Sequence, residues 1–297
     1  MISPQARLQL IRKFSFTPTQ YKWLSRMAGP AMARKLNYLA IKGKYPVEVL
    51  PKVPITLMAH KSGLDNRLIT QGFYFSEPYS KAIWLRLVQQ AHTILDVGAN
   101  IGQYTLSALA ANPQAQVHAF EPIPANMQVV QTNLAQNPGF AQRCTLHAYA
   151  LSNKEQQIFY PAHWQAGYQI GSIFSKEAPN ATGTNYFETK IFDSLGLPPF
   201  QLAKIDVETA EEYVLRGMQQ SIQAHRPILL VEILKPNVHE PIAAMIQAWG
   251  YQWLQVDDVN QTTHPAQPFV KAQGDNFLLF PPEKEDMVRQ ALHTPHS

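Results

Sequence analysis

An α/β fold, with a mainly parallel sheet and helices on both of its faces, is the architecture that this 297-residue sequence predicts. Two observations carry it. From Thr93 onward, Thr93 to Val97, Ile101 to Ala111, Gln116 to Phe120, Ala125 to Gln136 and Arg143 to Ala150 read strand, helix, strand, helix, strand. Further on, Ile228 to Ile233 is an almost unbroken apolar run, as expected of a strand buried on both faces. Hydrophobic residues make up 45% of the chain, enough to fill the core that such a sheet needs.

The elements before Thr93 are shorter. Pro18 marks a helix start and Gly29-Pro30 a break, which predicts helices over Thr19 to Ala28 and Ala31 to Ile41. Val47 to Met58 holds two β-rich runs around Pro51 and Pro54, read as edge strands because proline cannot donate to a ladder. Asp65 to Phe75 and Tyr79 to Gln90 have helical spacing. Residues 1–78 thus read as a helical N-terminal extension with short edge strands, and residues 79–297 as the main domain.

After Ala150 the alternation is interrupted. Ser152 to Thr189 carries three glycines, Pro179 and several aromatics, with strands at Gln156 to Tyr160 and Tyr186 to Phe192, and reads as an insertion over one end of the sheet. The core resumes with a strand Leu202 to Val207, helices from Ala210 to Arg216 and on to Ala224, and the strand at Ile228. A helix Val238 to Trp249, strands Tyr251 to Val256 and Asn276 to Phe280, and a helix Glu283 to Leu292 complete the chain.

Composition narrows the function classes. The single cysteine, Cys144, cannot form an internal disulfide, which fits a reducing compartment. No run of about 18 apolar residues would span a bilayer, and no secretory leader is evident, so a cytoplasmic location is expected. The net charge is +4, unevenly spread: Met1 to Val47 has no acidic residue but carries Arg7, Arg12, Lys13, Lys22, Arg26, Arg34, Lys35, Lys42 and Lys44. Apolar residues such as Leu8, Trp23, Leu24 and Met27 interleave with them. Such a stretch suits peripheral contact with an anionic membrane, or two helices whose basic faces are simply solvated.

The chemistry-bearing segment is Ile94 to Tyr104, ILDVGANIGQY, where a buried strand turns into a helix. Glycines there let backbone approach a ligand, and the helix start offers free N–H groups. A dinucleotide site wants a third, central glycine, and this chain has Asn100 at that position. Asp96 would repel a phosphate at close range and suits a cation or an amine instead. S-Adenosylmethionine carries both. Glu121 follows at the end of the next strand, placed to accept hydrogen bonds from both ribose hydroxyls.

The segments ILDVGANIGQYTL, AFEPIP, HAYALSN and LAKIDVETAEEYVLRGM, in this order, resemble the FkbM-type methyltransferase family. The resemblance covers roughly Glu77 to Ile233. It implies a class I methyltransferase (Rossmann-like) fold with a seven-stranded sheet, S-adenosylmethionine as methyl donor, and O-methylation of a hydroxyl on a sugar, glycolipid or secondary metabolite. By position, Asp96, Gly98, Asn100, Gly102, Glu121 and Pro122 correspond to the family's cofactor-binding motifs, and Asp193 to an acid preceding the fourth core strand. Thr209 departs from the glycine common after KIDVE, which bears on the local backbone shape.

Transfer to a hydroxyl requires alignment and removal of a proton. Glu208 and Asp206 in KIDVE are the catalytic candidates, with Glu208 as base or acceptor-positioning group; helix capping is its structural alternative. Asp206 and Glu232 offer a further arrangement, a shared divalent cation, although two carboxylates fall short of a coordination set. Lys204 reads as a rim charge. His60, His118, His147, His163 and His225 have no metal-binding spacing, so no metal ligand is assigned. His163, Trp164, Tyr168 and Phe174 of the insertion are candidates for lining an acceptor pocket. The partner expected is a small-molecule or glycan hydroxyl acceptor and not a nucleic acid, since IDVET stands where amine-modifying nucleic-acid methyltransferases carry a Pro-Pro-aromatic run. A nucleic-acid methyltransferase and a cofactor-binding module without catalysis are the alternatives.

Overall fold

The computed structural model describes residues 15–27, 40–59, 63–161, 184–234, 239–265 and 274–293. Within these, strands β1 (Ser15–Phe16) and β2 (Ala40–Ile41) pair parallel and flank helix α1 (Pro18–Met27). Strands β3 (Lys44–Leu50) and β4 (Val53–Met58) form an antiparallel hairpin, followed by α2 (Gly63–Gln71), a 3₁₀ turn Phe73–Phe75 and α3 (Pro78–Val88). The first N-terminal helix is therefore as expected, whereas the second lies almost entirely outside the described residues. Val47 to Met58 makes a separate two-stranded sheet rather than edges of the main one. It buries Val47, Val49, Ile55 and Leu57, and the β4 backbone bonds to Asn133 and Asn137: Thr56 N–H donates to Asn137 Oδ1 and Met58 N–H to Asn133 Oδ1, each at 2.8 Å.

The main sheet is built from β5 (Thr93–Val97), β6 (Gln116–Phe120) and β7 (Cys144–His147), with α4 (Gln103–Ala111) and α5 (Pro124–Gln136) between them. Strand β8 (Ala150–Leu151) leaves this sheet and joins β9 (Gln156–Pro161) and β10 (Thr184–Lys190), so the single strand expected over Arg143 to Ala150 splits at Ala148-Tyr149. The chain returns through β11 (Leu202–Ile205), α6 (Glu211–Gly217), α7 (Gln219–His225), β12 (Ile228–Glu232), α8 (His239–Ala248), β13 (Gln252–Asp257), β14 (Thr262–Pro265), β15 (Asn276–Phe280) and α9 (Glu285–His293).

The strand order is β14-β13-β15-β12-β11-β5-β6-β7. Strands β7, β6, β5, β11 and β12 run parallel, and β15, inserted between β12 and β13, is antiparallel to both. This is the mainly parallel sheet that the sequence predicts, with an eighth strand, β14, hairpinned onto β13 beyond the seven expected.

Period-two alternation divides the core. Ile94, Leu202, Leu230 and Leu278 face one apolar cluster, shared with α3, α4, α5, α9 and the β3-β4 hairpin. Leu95, Ala203, Val231 and Leu279 face the other, under α6, α7 and α8. The parity that puts Ile94 on the first face also puts Asp96, Lys204, Glu232 and Asn276 there, at the carboxyl edge of the parallel strands. Asp193 is not part of that edge: its carboxylate accepts from Gln220 N–H at 2.8 Å and Ser221 N–H at 3.0 Å, capping α7.

Candidate active site

The turn from β5 into α4 places three consecutive motif positions, Gly98 (φ 86°), Asn100 (φ 51°) and Gly102 (φ 87°), in the left-handed region. Gly98 has a second reason to be glycine. A Cβ there would lie 1.9 Å from the carbonyl oxygen of Asp206, so the turn can nest against the end of β11 only without a side chain. At Gly102 a Cβ would press on Val130 of α5 at 3.2 Å, so its role is helix packing.

Asp96 is fully buried, and its Oδ2 accepts from Thr105 N–H at 2.8 Å and Thr105 Oγ1–H at 2.5 Å. Burial raises its pKa to about 6 against the lowering effect of those bonds. The carboxylate braces the first turn of α4 from beneath. Neither Asp96 nor Gly102 lines the cavity described next.

Glu121, just beyond β6, is also buried. Its Oε2 accepts from Asn100 N–H and its Oε1 from Ile123 N–H, both at 2.8 Å. Desolvation pushes its pKa to about 7, offset in part by these N–H donors and by the Asn126 side chain. Asn100 Oδ1 is buried without a hydrogen-bond partner among the described residues.

These groups open into a cavity of about 430 Å³. Gly98, Asn100, Glu121 and Pro122 form one side and Asp206 to Glu208 another. Ile158, Phe187 and Thr189, from the antiparallel strands β9 and β10 of the insertion, close it. The size suits a ligand of nucleoside dimensions. The fit to S-adenosylmethionine rests on an acid that can take ribose hydroxyls, an orphaned amide oxygen, and apolar walls from Val97, Phe120 and Ile158. His163, Trp164, Tyr168 and Phe174 lie outside the described residues.

Beyond β11 the chain enters a strained loop. Glu208 (φ 54°) and Thr209 (φ 84°) both adopt left-handed backbone, so the threonine is forced into the shape a glycine takes freely. Glu211 secures the loop, its Oε1 accepting from Thr209 N–H at 2.9 Å and Val207 N–H at 3.4 Å. The helix-capping role considered for Glu208 therefore goes to no side chain of the loop: α6 has no side-chain cap. Burial, and then the charges of Asp206 and Glu211, raise the Glu208 pKa to about 7.

Lys204 is not a rim charge. It is 0% exposed, because its position in the central strand points it under the sheet's edge between neighbouring strands. Its Nζ lies 3.5 Å from Asp206 Oδ2, 3.3 Å from Asn276 Oδ1 and 5.1 Å from the Tyr104 ring centroid. Asn276 Nδ2 donates to Glu77 Oε1 at 2.6 Å. Burial works against the ammonium, but Asp206, Glu77, Glu232 and Asp96 outweigh it and hold the Lys204 pKa above its ordinary value. No group of three or more His, Cys, Asp or Glu side chains converges as a metal site among the described residues.

Sequence spacing misses several neighbours. Asn126 lines the cavity and supports Glu121, and Ser152, Asn153, Lys154 and Tyr213 line it too. HAYALSN contains Ser152 and Asn153, and LAKIDVETAEEYVLRGM contains Tyr213, the signals that could have found them. His118 and His147, remote in sequence, meet at 3.1 Å between ring nitrogens, with Tyr149 Oη 3.0 Å from the second ring. Burial, and then the neighbouring ring, lower the His147 pKa to about 4, and the ring stacks on Phe120 of the cavity wall. The pair buttresses that wall from behind.

Comparison with known proteins identifies the family. The family model described as the methyltransferase FkbM domain matches residues 96–253. The 31-O-demethyl-FK506 methyltransferase FkbM of Streptomyces tacrolimicus is 26% identical over 181 residues, covering 50% of this chain and 69% of that protein. Methyltransferase sdnD of Sordaria araneosa is 26% identical over 190 residues, covering 53% and 73% respectively. A crystal structure of methyltransferase FkbM from Methylobacillus flagellatus KT aligns with a TM-score of 0.47 at 18% identity, over 72% of this chain and 52% of that one. The chain belongs to the FkbM methyltransferase family, and its methyl donor is S-adenosylmethionine.

Proposed function

We propose that this protein transfers the methyl group to a hydroxyl oxygen of a small molecule, a sugar, glycolipid or secondary metabolite, with Glu208 receiving the hydroxyl proton. The observation that carries this reading is the position of Glu208: it stands on the cavity wall beside Asp206, with a pKa raised by burial to about 7. A carboxylate so tuned can accept a proton near neutral pH and pass it on. Asp96, Gly98, Asn100, Gly102, Glu121 and Pro122 serve the donor, Asp96 and Gly102 by shaping the turn. The printed name of the Streptomyces tacrolimicus relative, an O-demethyl-FK506 methyltransferase, supports a hydroxyl acceptor. The test is transfer from methyl-labelled cofactor to panels of hydroxylated glycans and polyketides, with the linkage of the product identified by mass spectrometry. Label found on nitrogen or carbon would overturn the hydroxyl assignment.

A second contact is supported by α1. Its inner side buries Tyr21, while Lys22, Trp23, Arg26 and Met27 are exposed together on the other, Trp23 at 60% and Met27 at 68%. Two apolar side chains flanked by two cations suit the interface of an anionic bilayer. No helix among the described residues is long and apolar enough to cross a membrane, so the contact is peripheral. Co-sedimentation with phosphatidylglycerol vesicles at low salt is expected, lost in Trp23→Ser with Met27→Ser. Equal sedimentation of the double variant would remove α1 from it.

A further inference from the structure

The ends of β11 and β12 bring two carboxyl groups together over one buried lysine. Asp206 and Glu232 follow corresponding positions of adjacent parallel strands, since Ile205 pairs with Val231. That register sets the two residues side by side at the carboxyl edge of the sheet. Asp206 lines the cofactor cavity and is ion-paired at 3.5 Å to Lys204. The groups around Glu232 come from several elements. Asp206 and Lys204 belong to β11 and its end, Asn276 to β15, Tyr104 to α4, and Glu77 precedes α3. Of these Lys204 is the cation, and the buried Lys81 of α3 acts on it and on Glu77.

Charge balance makes this arrangement specific. Lys204 is acted on by Asp206, Glu77, Glu232 and Asp96 together, so it cannot neutralise every carboxylate around it. Two ionised carboxyls side by side would leave an uncompensated buried charge, which is costly. Burial, and then the Asp206 charge, accordingly raise the Glu232 pKa well above the ordinary carboxylate range, so Glu232 holds its proton at neutral pH. A second cation brought against Asp206 changes the balance. The added positive charge offsets the Asp206 charge that holds the proton on Glu232, and Glu232 can ionise.

We infer that the Asp206–Glu232 pair over Lys204 is a charge sensor for the cofactor, which gives up the Glu232 proton when a sulfonium cation enters the cavity and takes it back when only the neutral thioether is there. The step balances: the Glu232 O–H bond breaks, its electron pair stays on the carboxylate, and the proton passes to solvent. The pair thereby favours S-adenosylmethionine over S-adenosylhomocysteine, and loosens its hold once the methyl group has left. Glu232 and Lys204 are positioning residues here, acting through Asp206. The inference rests on the cofactor alone and holds whatever the acceptor is.

Calorimetric titration of the full chain tests it, with S-adenosylmethionine and S-adenosylhomocysteine, in buffers of different ionisation enthalpy. Working above pH ~8 keeps Glu121 and Glu208, both about 7, already ionised. More protons are expected to be released with the sulfonium than with the thioether, approaching a difference of about one. The affinity ratio of the two ligands should rise with pH, by up to about tenfold per unit. Glu232→Gln keeps the shape without the ionisable proton and should erase this difference while retaining thioether binding, which also reports that the variant folds. Subtracting the variant from the wild type cancels titration of the ligands' own amino groups. If Glu232→Gln fails to bind the thioether, the wild-type affinity ratio still decides. Equal proton release for both ligands, an affinity ratio flat in pH, or a difference that persists in Glu232→Gln overturns the inference. So does proton displacement by magnesium ion alone, since the pair would then be a metal site.

Discussion

The backbone N–H of Asn100 donates to Glu121 Oε2 at 2.8 Å, tying the left-handed residue of the first motif to the acid of the second. Glu121 therefore both shapes the turn and presents to the cavity. Hydrogen bonds to a charged group contribute about 1.5–3 kcal/mol each. Glu121→Ala is expected to weaken S-adenosylhomocysteine binding by about 10- to 100-fold or more, measured by calorimetry. Unchanged affinity would take Glu121 out of the cofactor site.

The same residue gives stability a signature in pH. Its folded pKa, about 7, exceeds the ordinary 4.5 through burial. A raised acid contributes stability that is fully present below the unfolded value and lost as pH rises through the folded one. The ligand-free wild type, relative to Glu121→Gln, is therefore expected to lose stability across about 4.5 to 7. Denaturant titrations of both proteins at several pH values read the difference, and a flat difference contradicts the burial of an ionisable Glu121.

Gly98→Ala meets two obstacles, a left-handed φ of 86° and a Cβ 1.9 Å from the Asp206 carbonyl oxygen. Relief requires β11 and the turn to part. A loss of about 3 kcal/mol or more is expected, together with loss of cofactor binding. Near-native stability by urea titration would refute this packing.

Thr209→Gly goes the other way. A β-branched residue at φ 84° stores about 1–3 kcal/mol, and glycine's extra unfolded-state entropy takes back part of the gain. A net gain of about 1 kcal/mol is expected in the midpoint of chemical denaturation. A lower midpoint would mean that the threonine side chain makes up for its backbone.

Glu208→Gln removes the proton acceptor and keeps the shape. Turnover is expected to fall by about 100-fold or more with cofactor affinity retained. In the wild type, kcat should rise with pH through about 7, as the acid deprotonates, and this rise should vanish in the variant. An identical pH profile in both proteins would assign the base elsewhere.

The strand–helix alternation, the Asp96 to Gly102 turn and Glu121 were legible in the sequence because each is local: periodicity, glycine placement and an acid at a strand end lie within a few neighbouring residues. The family resemblance also exposed Thr209 as a departure, although only the backbone revealed that threonine adopts the left-handed shape all the same. What the tertiary structure decided are pairings between distant segments. Lys204, alone in an apolar strand, looks like a solvated rim charge until β5 and β12 flank it and Asp206 and Asn276 reach its ammonium. Asp96 looks like a ligand for the cofactor until Thr105 folds back to claim its carboxylate. The meeting of His118 with His147 likewise depends on the pairing of β6 with β7. The sequence by itself determined the fold, the donor and the glycine turn after β5. Which carboxyl faces the cavity and which braces a helix was decided by packing, because burial and pairing depend on neighbours that linear spacing cannot supply.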